Sequence, residues 1–154
     1  MKLFVFSDSH GNPGPMLRAL EEETPDMIIH LGDGGADISK IKRQFPQIPL
    51  KAVRGNCDYS SDLPETELFT VEGLNIFITH GHLFGVKLSC ASLIGEAERR
   101  GAGLVMYGHT HKAALQRPGE LCLLNPGSCG LLPSLSFAVV VVNGGDFFCR
   151  ICPL

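Results

Sequence analysis

The segment Lys2-Leu3-Phe4-Val5-Phe6-Ser7-Asp8-Ser9-His10-Gly11 joins an apolar run directly to a polar loop. Consecutive apolar residues bounded by turn-forming residues are typical of a strand that is buried on both faces. The loop that follows carries Asp8 and His10, whose carboxylate and imidazole groups are common metal ligands. The sequence therefore predicts a buried strand that ends in a ligand-bearing loop.

Two later apolar runs end in the same way. Residues 27–31 precede Gly32-Asp33, and residues 50–54 precede Gly55-Asn56. A helix is predicted between the first two strands, over residues 15–23, because proline is tolerated in a first helical turn. The order strand, loop, helix, strand is typical of parallel strand pairing in an α/β fold.

Histidines end the strands of the second half. Residues 66–71 and 74–79 flank Glu72-Gly73, which predicts a hairpin with a two-residue turn. The second arm leads to His80, and a strand over residues 104–107 leads to His109 and His111. The remaining predicted elements are a helix over residues 87–100 and strands over residues 121–124, 136–142 and 146–151.

Composition limits the class of protein. With 154 residues, 44% hydrophobic and 19% charged, the chain is expected to fold as a single domain over residues 1–154. The net charge of −3, without a basic run, argues against an extended nucleic-acid surface. The longest apolar run, residues 137–142, is too short to cross a membrane. Six scattered cysteines and the absence of a leader-like start favour a cytoplasmic location.

Seven potential metal ligands follow these five strands. Because ligand sites of α/β sheets gather at the carboxyl ends of strands, we expect the seven side chains to converge. They are too many for one ion, and Asp33 lies centrally among them, so it is the expected bridge between two divalent ions. Carboxylate, imidazole and amide donors suit Mn²⁺, Ni²⁺, Fe²⁺ or Zn²⁺. The predicted ligands are Asp8, His10, Asp33, Asn56, His80, His109 and His111.

The ordered motifs resemble a known family. They are Asp8-Ser9-His10, Gly32-Asp33, Gly55-Asn56-Cys57-Asp58, His80-Gly81-His82, Gly108-His109-Thr110-His111 and Asn125-Pro126-Gly127-Ser128. Together they resemble the calcineurin-like metallophosphoesterase superfamily, and within it the small YfcE-like phosphodiesterases. The resemblance implies a four-layer αββα sandwich of two facing mixed β-sheets flanked by helices.

The resemblance also implies an activity and an assignment of ligands. One ion would be held by Asp8, His10, Asp33 and His111, and the other by Asp33, Asn56, His80 and His109. A hydroxide bridging the ions would attack a small phosphoester directly, with Mn²⁺ or Ni²⁺ as activators. Relatives in this group commonly form dimers, so the resemblance leaves a homodimer open, while the sequence itself has no signal for the oligomeric state.

Cys57 departs from the pattern of many superfamily members, which carry a histidine there as a general acid. A thiol is a poor substitute for imidazole, so the expected substrate shifts from phosphomonoesters toward diesters. His82 is the nearest candidate for a substitute acid or phosphate contact. Asn56 completes the predicted catalytic group together with Asp58, which would orient the Asn56 loop or a ligand histidine.

Other residues are given structural roles. His30, inside an apolar run, is expected to be a buried, hydrogen-bonded histidine. Asp37 is expected to cap a helix, and Asn125–Ser128 to support the site. Three alternatives stay open: a phosphomonoesterase, a non-catalytic scaffold like the one that the same fold provides in retromer, and a metal or redox site at Cys149 and Cys152.

Overall fold

The computed structural model of residues 1–154 contains ten strands, three α-helices and one 3₁₀ helix. In chain order the elements are β1 (Lys2–Phe6), α1 (Gly14–Glu22), β2 (Met27–His30), α2 (Gly35–Gln44), β3 (Leu50–Ala52), β4 (Thr66–Val71), β5 (Leu74–Thr79), the 3₁₀ helix (His82–Phe84), α3 (Ala91–Arg99), β6 (Leu104–Tyr107), β7 (Ala114–Gln116), β8 (Cys122–Asn125), β9 (Ser136–Asn143) and β10 (Asp146–Pro153). None of the helices has the length and hydropathy of a membrane-spanning segment.

The strands form two mixed five-stranded sheets. The first has the order β10-β9-β1-β2-β3, and the second has the order β4-β5-β6-β8-β7. Strands β1, β2 and β3 are parallel, as are β5, β6 and β8, while β9, β10, β4 and β7 pair antiparallel with their neighbours. The predicted α/β fold with two facing mixed sheets is confirmed.

Alternate side chains of β1 divide between two cores, because successive residues of a strand point to opposite faces. Leu3 and Val5 pack between the sheets, against residues of the second sheet such as Ile78. Phe4 and Phe6 point the other way and pack against the helix α1. A third cluster joins α3 to the outer face of the second sheet. The layers are therefore helices, sheet, sheet and helix, as predicted.

Three expectations need correction. Asp37 does not cap α2, which begins at Gly35, because its carboxylate instead accepts hydrogen bonds from Ser9 and Gly11 in the loop after β1. The helix predicted over residues 87–100 begins only at Ala91. Strand β7 was not predicted, since its three residues are half-exposed or exposed and have no apolar periodicity.

Cys149 and Cys152 do not form a joint site. Both lie in β10, and their separation of three residues places them on opposite faces of the strand. Cys149 packs in the core between the sheets, whereas Cys152 packs on the outer face with the α1 cluster. The alternative of a metal or redox site at this pair therefore has no structural support.

Candidate metal centre

Each of the seven predicted ligands lies in a loop that leaves the carboxyl end of a strand. Asp8 and His10 follow β1, Asp33 follows β2 and Asn56 follows β3. His80 follows β5 in the second sheet, and the pair His109 and His111 follows β6. Both sheets thus direct their loops toward a shared site at one end of the sandwich.

Most of these ligands have a left-handed backbone conformation. The φ angles are 56° at Asp8, 47° at His10, 55° at Asp33, 67° at His109 and 58° at His111. Residues with a Cβ rarely adopt positive φ, and such conformations cluster at functional sites. The conformation also explains how two histidines separated by one residue share a site, because the turn at Thr110 replaces the alternation of an extended strand.

The first group of ligand atoms gathers around Asp8. Its Oδ1 atom lies 3.2 Å from Nε2 of His111 and 3.8 Å from Nε2 of His10. The three residues offer ligand atoms that all lie within 4.8 Å of one another. This group contains three of the four residues that the resemblance assigns to the first ion.

The second group gathers around Asp33 and His80. Nε2 of His80 lies 3.4 Å from Oδ2 of Asp33 and 3.1 Å from Oδ1 of Asn56. Oδ2 of Asp33 also lies 3.7 Å from Nε2 of His10, so this carboxylate stands between the two groups. His109 lies beside the second group, with its ring centroid 5.0 Å from that of His80.

The donor set fits divalent metal ions. Ligand atoms that lie about 2.0–2.2 Å from one ion are roughly 3.0–3.5 Å from each other in octahedral or tetrahedral geometry. The closest pairs across the site have this spacing, as the 3.1–3.4 Å separations around His80 show. Oδ1 of Asp8 is fully buried and has no hydrogen-bond donor, although three imidazoles face it. A buried carboxylate oxygen without a partner is costly unless a cation satisfies it.

Hydrogen bonds on the far side of Asp8, Asp33 and His80 orient these three side chains toward the site. The other oxygen of Asp8, Oδ2, accepts from the Ser7 hydroxyl at 2.6 Å and from the His109 amide at 3.1 Å. Oδ1 of Asp33 accepts from the Cys57 amide at 2.8 Å. Nδ1 of His80 lies 2.7 Å from the carbonyl oxygen of Leu31, which can only accept, so Nδ1 donates this hydrogen bond and Nε2 is the nitrogen that faces the site.

Asp58 supports the centre through the backbone. Oδ2 accepts from the amides of Asp33 and Gly55, both at 2.8 Å, and Oδ1 accepts from Gly34 at 3.1 Å and Gly35 at 2.9 Å. One buried carboxylate thereby ties the loop after β2 to the loop after β3, which carries Asn56. Asp58 is a positioning residue, because its oxygens are occupied by these amides rather than directed at the ligand atoms.

A second support comes from the segment after β8. Nδ2 of Asn125 donates to the carbonyl of Gly108 at 3.0 Å and lies 3.1 Å from the Thr110 hydroxyl. The Ser128 hydroxyl donates to the carbonyl of Asp8 at 2.8 Å. Asp37 also accepts from Ser9. These hydrogen bonds therefore fix both the loop that carries Asp8 and the loop that carries His111. The role of Asp37 was missed because its partners lie far away in the sequence.

Cys57 and His82 lie at the edge of the centre. The Cys57 side chain is exposed, and its thiol lies within 4.8 Å of ligand atoms of both His10 and Asp33. His82 begins the 3₁₀ helix, with its ring centroid 5.5 Å from that of His80 and 6.1 Å from that of His109. The His82 ring therefore lies beside the rings of His80 and His109, and it makes no hydrogen bond to Asp8 or Asp33.

His30 has the structural role expected of it. It is fully buried, and its Nδ1 accepts from the Gly32 amide at 3.2 Å. Burial lowers its pKa to about 4, although the carboxylates of Asp58 and Asp37 act in the opposite direction. His30 is thus a neutral histidine beneath the ligand loops.

Burial, hydrogen bonds and neighbouring charges shift the pKa values of the ligands in different directions. Burial raises the pKa of Asp8 above its usual range, against the opposing effect of His80. For Asp33, burial is outweighed by hydrogen bonds from His80 and the Cys57 amide, which hold its pKa well below the usual range. Burial together with the charge of His80 lowers the pKa of His109 to about 4. A neutral imidazole beside an ionised carboxylate is the state that binds a metal ion.

Fold and site together define the class of the protein as a metal-dependent phosphoester hydrolase. Residues 1–145 match the calcineurin-like phosphoesterase superfamily domain, and the chain belongs to this family. It is 33% identical over 134 residues to the probable metallophosphoesterase YsnB of Bacillus subtilis (strain 168), covering 85% of this chain and 76% of that protein. It is 30% identical over 155 residues to phosphodiesterase YfcE of Escherichia coli (strain K12), covering 85% of this chain and 80% of that protein.

Solved structures show the same fold. A predicted phosphoesterase from Streptococcus pneumoniae TIGR4 superposes with a TM-score of 0.83 at 25% identity, covering 99% of this chain and 88% of that chain. Vps29 from Entamoeba histolytica, in a structure complexed with Zn²⁺, has a TM-score of 0.78 at 22% identity, covering 99% of each chain. The second likeness concerns the fold alone.

Proposed function

We propose that the protein hydrolyses phosphate diesters with the help of two divalent metal ions. The observation that carries this proposal is the position of Asp33, whose Oδ2 lies 3.7 Å from Nε2 of His10 and 3.4 Å from Nε2 of His80. A carboxylate between two groups of ligands is suited to bridge two ions. Two such ions, when bound, activate a water molecule and neutralise charge on the phosphoryl oxygens.

The ligands divide between the two ions as follows. Asp8, His10 and His111 would hold the first ion, since Oδ1 of Asp8 lies 3.2 Å from Nε2 of His111 and 3.8 Å from Nε2 of His10. Asn56 and His80 begin the second set, and Asp33 joins both. His109 completes the second set, where its low pKa keeps the imidazole neutral and able to bind a metal ion. The mixture of oxygen and nitrogen donors suits Mn²⁺ or Ni²⁺.

Cys57 supports the preference for diesters. A phosphomonoester with a poor leaving group needs a general acid close to the phosphorus, and an imidazole serves this purpose near neutral pH. Partial desolvation and the nearby Asp33 carboxylate raise the pKa of the exposed Cys57 thiol, so it is a weak proton donor. Two relatives, from Escherichia coli and Methanocaldococcus jannaschii, carry the name phosphodiesterase, in agreement with this preference.

His82 is the proposed phosphate contact or proton donor to the leaving group. Burial lowers its pKa, and the charge of His80 adds to this effect. His82→Gln should reduce turnover and remove the corresponding limb of the pH–rate profile, while leaving metal affinity unchanged. Undiminished turnover in His82→Ala would show that His82 has no part in the reaction.

A parallel assay tests the proposed function. Bis-p-nitrophenyl phosphate and p-nitrophenyl phosphate are offered to the metal-free protein reconstituted with Mn²⁺, Ni²⁺, Zn²⁺ or Mg²⁺. Metal-dependent hydrolysis of the diester, at least tenfold faster than that of the monoester, is expected. The reverse preference would favour the phosphomonoesterase. Failure to hydrolyse either ester despite bound metal would favour a scaffold, which the complete ligand set does not support.

A further inference from the structure

We propose that two cavities beside the metal centre hold the two unlike substituents of a diester. The cavity that contains Tyr59 takes a nucleoside or similar hydroxylated ring, and the cavity that contains Leu132 takes an apolar group. This inference rests on the proposed function and specifies the substrate for the same centre. The cavities have volumes of about 510 and 610 Å³ and share no lining residue.

The two cavities lie toward opposite edges of the sandwich. The Tyr59 cavity is formed by the loop after β3, the edge strand of the first sheet, and Lys51 in β3 pairs with Glu67 in the edge strand β4 of the second sheet. The Leu132 cavity includes the segment that leads into β7, at the other edge. There Arg117 lies 5.2 Å above the ring of Phe147 in β10. The metal centre lies between these edges, at the ends of the central strands.

Each cavity begins at the centre itself. Cys57, whose amide binds Asp33, contributes to the wall of the Tyr59 cavity. His111, whose Nε2 lies 3.2 Å from Asp8, contributes to the wall of the Leu132 cavity. A phosphorus atom at the metal centre would therefore be within reach of both cavities. A monoester has one substituent and needs one cavity, whereas a diester has a substituent for each.

The Tyr59 cavity has the chemistry of a site for a hydroxylated ring. The Tyr59 ring is 87% exposed at its rim, an unusual position for an aromatic residue without a partner. An exposed aromatic face stacks readily on a nucleobase. Ser39, Ser60 and Ser61 line the same cavity and offer three hydroxyl groups, which suit the hydroxyls of a sugar. Gly35 and Asp58 also line this cavity.

The Leu132 cavity is different in character. Leu131 and Leu132 are 37% and 80% exposed, and Pro133 follows them in the lining. Exposed apolar side chains that share one cavity mark a binding surface. Lys112 lies in the same lining and adds a positive charge, which complements the single negative charge of a phosphodiester. Thr110, Ser134 and Ser136 also line the Leu132 cavity, but apolar surface predominates there. Polar surface predominates in the Tyr59 cavity, and this difference predicts two different substituents.

The test compares two chromogenic diesters that share one p-nitrophenyl group. One is the p-nitrophenyl ester of thymidine 5′-phosphate, and the other is methyl p-nitrophenyl phosphate. The wild-type protein, Tyr59→Ala, Tyr59→Phe and Leu132→Ser are assayed with saturating Mn²⁺. Phe148→Ala serves as the control for loss of an exposed aromatic side chain, because Phe148 is 64% exposed in β10, outside both cavities.

Tyr59→Ala should raise KM for the thymidine diester about tenfold and for the methyl diester less than twofold, because a methyl group gains little from stacking. Tyr59→Phe and Phe148→Ala should match the wild type. Leu132→Ser should raise KM about fivefold for both esters, since both place the nitrophenyl group there. All kcat values should stay within about twofold, because none of these residues belongs to the metal centre.

An equal rise in KM for both esters in Tyr59→Ala, or an unchanged KM in both Tyr59→Ala and Leu132→Ser, would overturn the assignment of the cavities. Hydrolysis of the two esters by the wild-type protein would still support the proposed function in that case. A wild-type protein that binds metal but hydrolyses neither ester would instead refute the proposed function. Large kcat losses with unchanged KM would also contradict the assignment, because they would place these residues in the reaction rather than in binding.

Discussion

Asp58 offers the sharpest test of how the ligand loops are held. Its two carboxylate oxygens accept four backbone hydrogen bonds, two each, over distances of 2.8–3.1 Å. The side chain of Asp58→Asn has nearly the same shape but only one oxygen. Its amide group would point two N–H donors at two backbone N–H donors. The substitution therefore removes hydrogen bonds without creating a cavity.

The expected cost follows from these contacts. Two backbone donors lose their acceptor, and a buried unsatisfied donor costs roughly 1–3 kcal/mol. The two remaining bonds lose the charge of the carboxylate and become weaker. Asp58→Asn should therefore lower the free energy of unfolding of the metal-free protein by about 4 kcal/mol. Asp58→Ala should cost at least as much, because all four donors lose their acceptor.

Urea unfolding followed by circular dichroism measures this change. Asp62→Asn is the matched control, because Asp62 lies in the same loop, is exposed and accepts no hydrogen bond. The control should remain within about 0.5 kcal/mol of the wild type. Asp58→Asn should also bind Mn²⁺ at least tenfold more weakly, as a support for ligand loops would. A stability and a metal affinity equal to those of Asp62→Asn would refute the positioning role of Asp58.

Three further predictions concern backbone and pH. His111→Gly should be more stable than His111→Ala by about 1 kcal/mol in urea unfolding, because the φ of 58° favours glycine, and equal stability would contradict this. Gly130→Ala should cost roughly 1–3 kcal/mol and so lower the melting temperature by about 3–9 °C, because its Cβ would collide with the Ser9 carbonyl; an unchanged melting temperature would show that the loop can shift. His30 takes up a proton in the unfolded chain near pH 6.5 but in the folded chain only near pH 4, so stability should fall by about 3 kcal/mol as the pH falls through this window. His30→Gln should flatten that dependence, and an equally steep loss would assign it to other groups.

The sequence predicted nine of the ten strands, and it indicated candidate ligands directly after five of them, because both depend on local signals. An apolar run such as residues 2–6 is bounded by polar residues, and the ligand types follow it at once. Parallel order then requires that Asp8 and Asp33 lie at the same edge of one sheet. The structure places all seven predicted ligands in loops at this end of the fold.

The supporting hydrogen bonds could not be predicted in the same way. Asp37 lies within an amphipathic helical pattern, and its preference for helix starts suggested a cap. Its partners Ser9 and Gly11 lie 28 and 26 residues away, so only the folded chain shows the contact. The positive φ of five ligands was equally hidden, since Asp and His carry no signal for it as strong as that of glycine. The two flanking cavities depend on loops whose composition alone does not define their shape.

Metal stoichiometry coupled to activity is the most direct test of the central claim. The protein is stripped with a chelator, titrated with Mn²⁺ in a calorimeter and assayed at each step with bis-p-nitrophenyl phosphate. Asp33→Asn is carried through the same titration with its fold verified by circular dichroism. We predict two ions per wild-type chain, activity that rises only as the second ion binds, and at least a thousandfold loss of turnover in Asp33→Asn. Full activity with one ion or none, or in Asp33→Asn, would contradict the claim that Asp33 joins two ions into one catalytic centre.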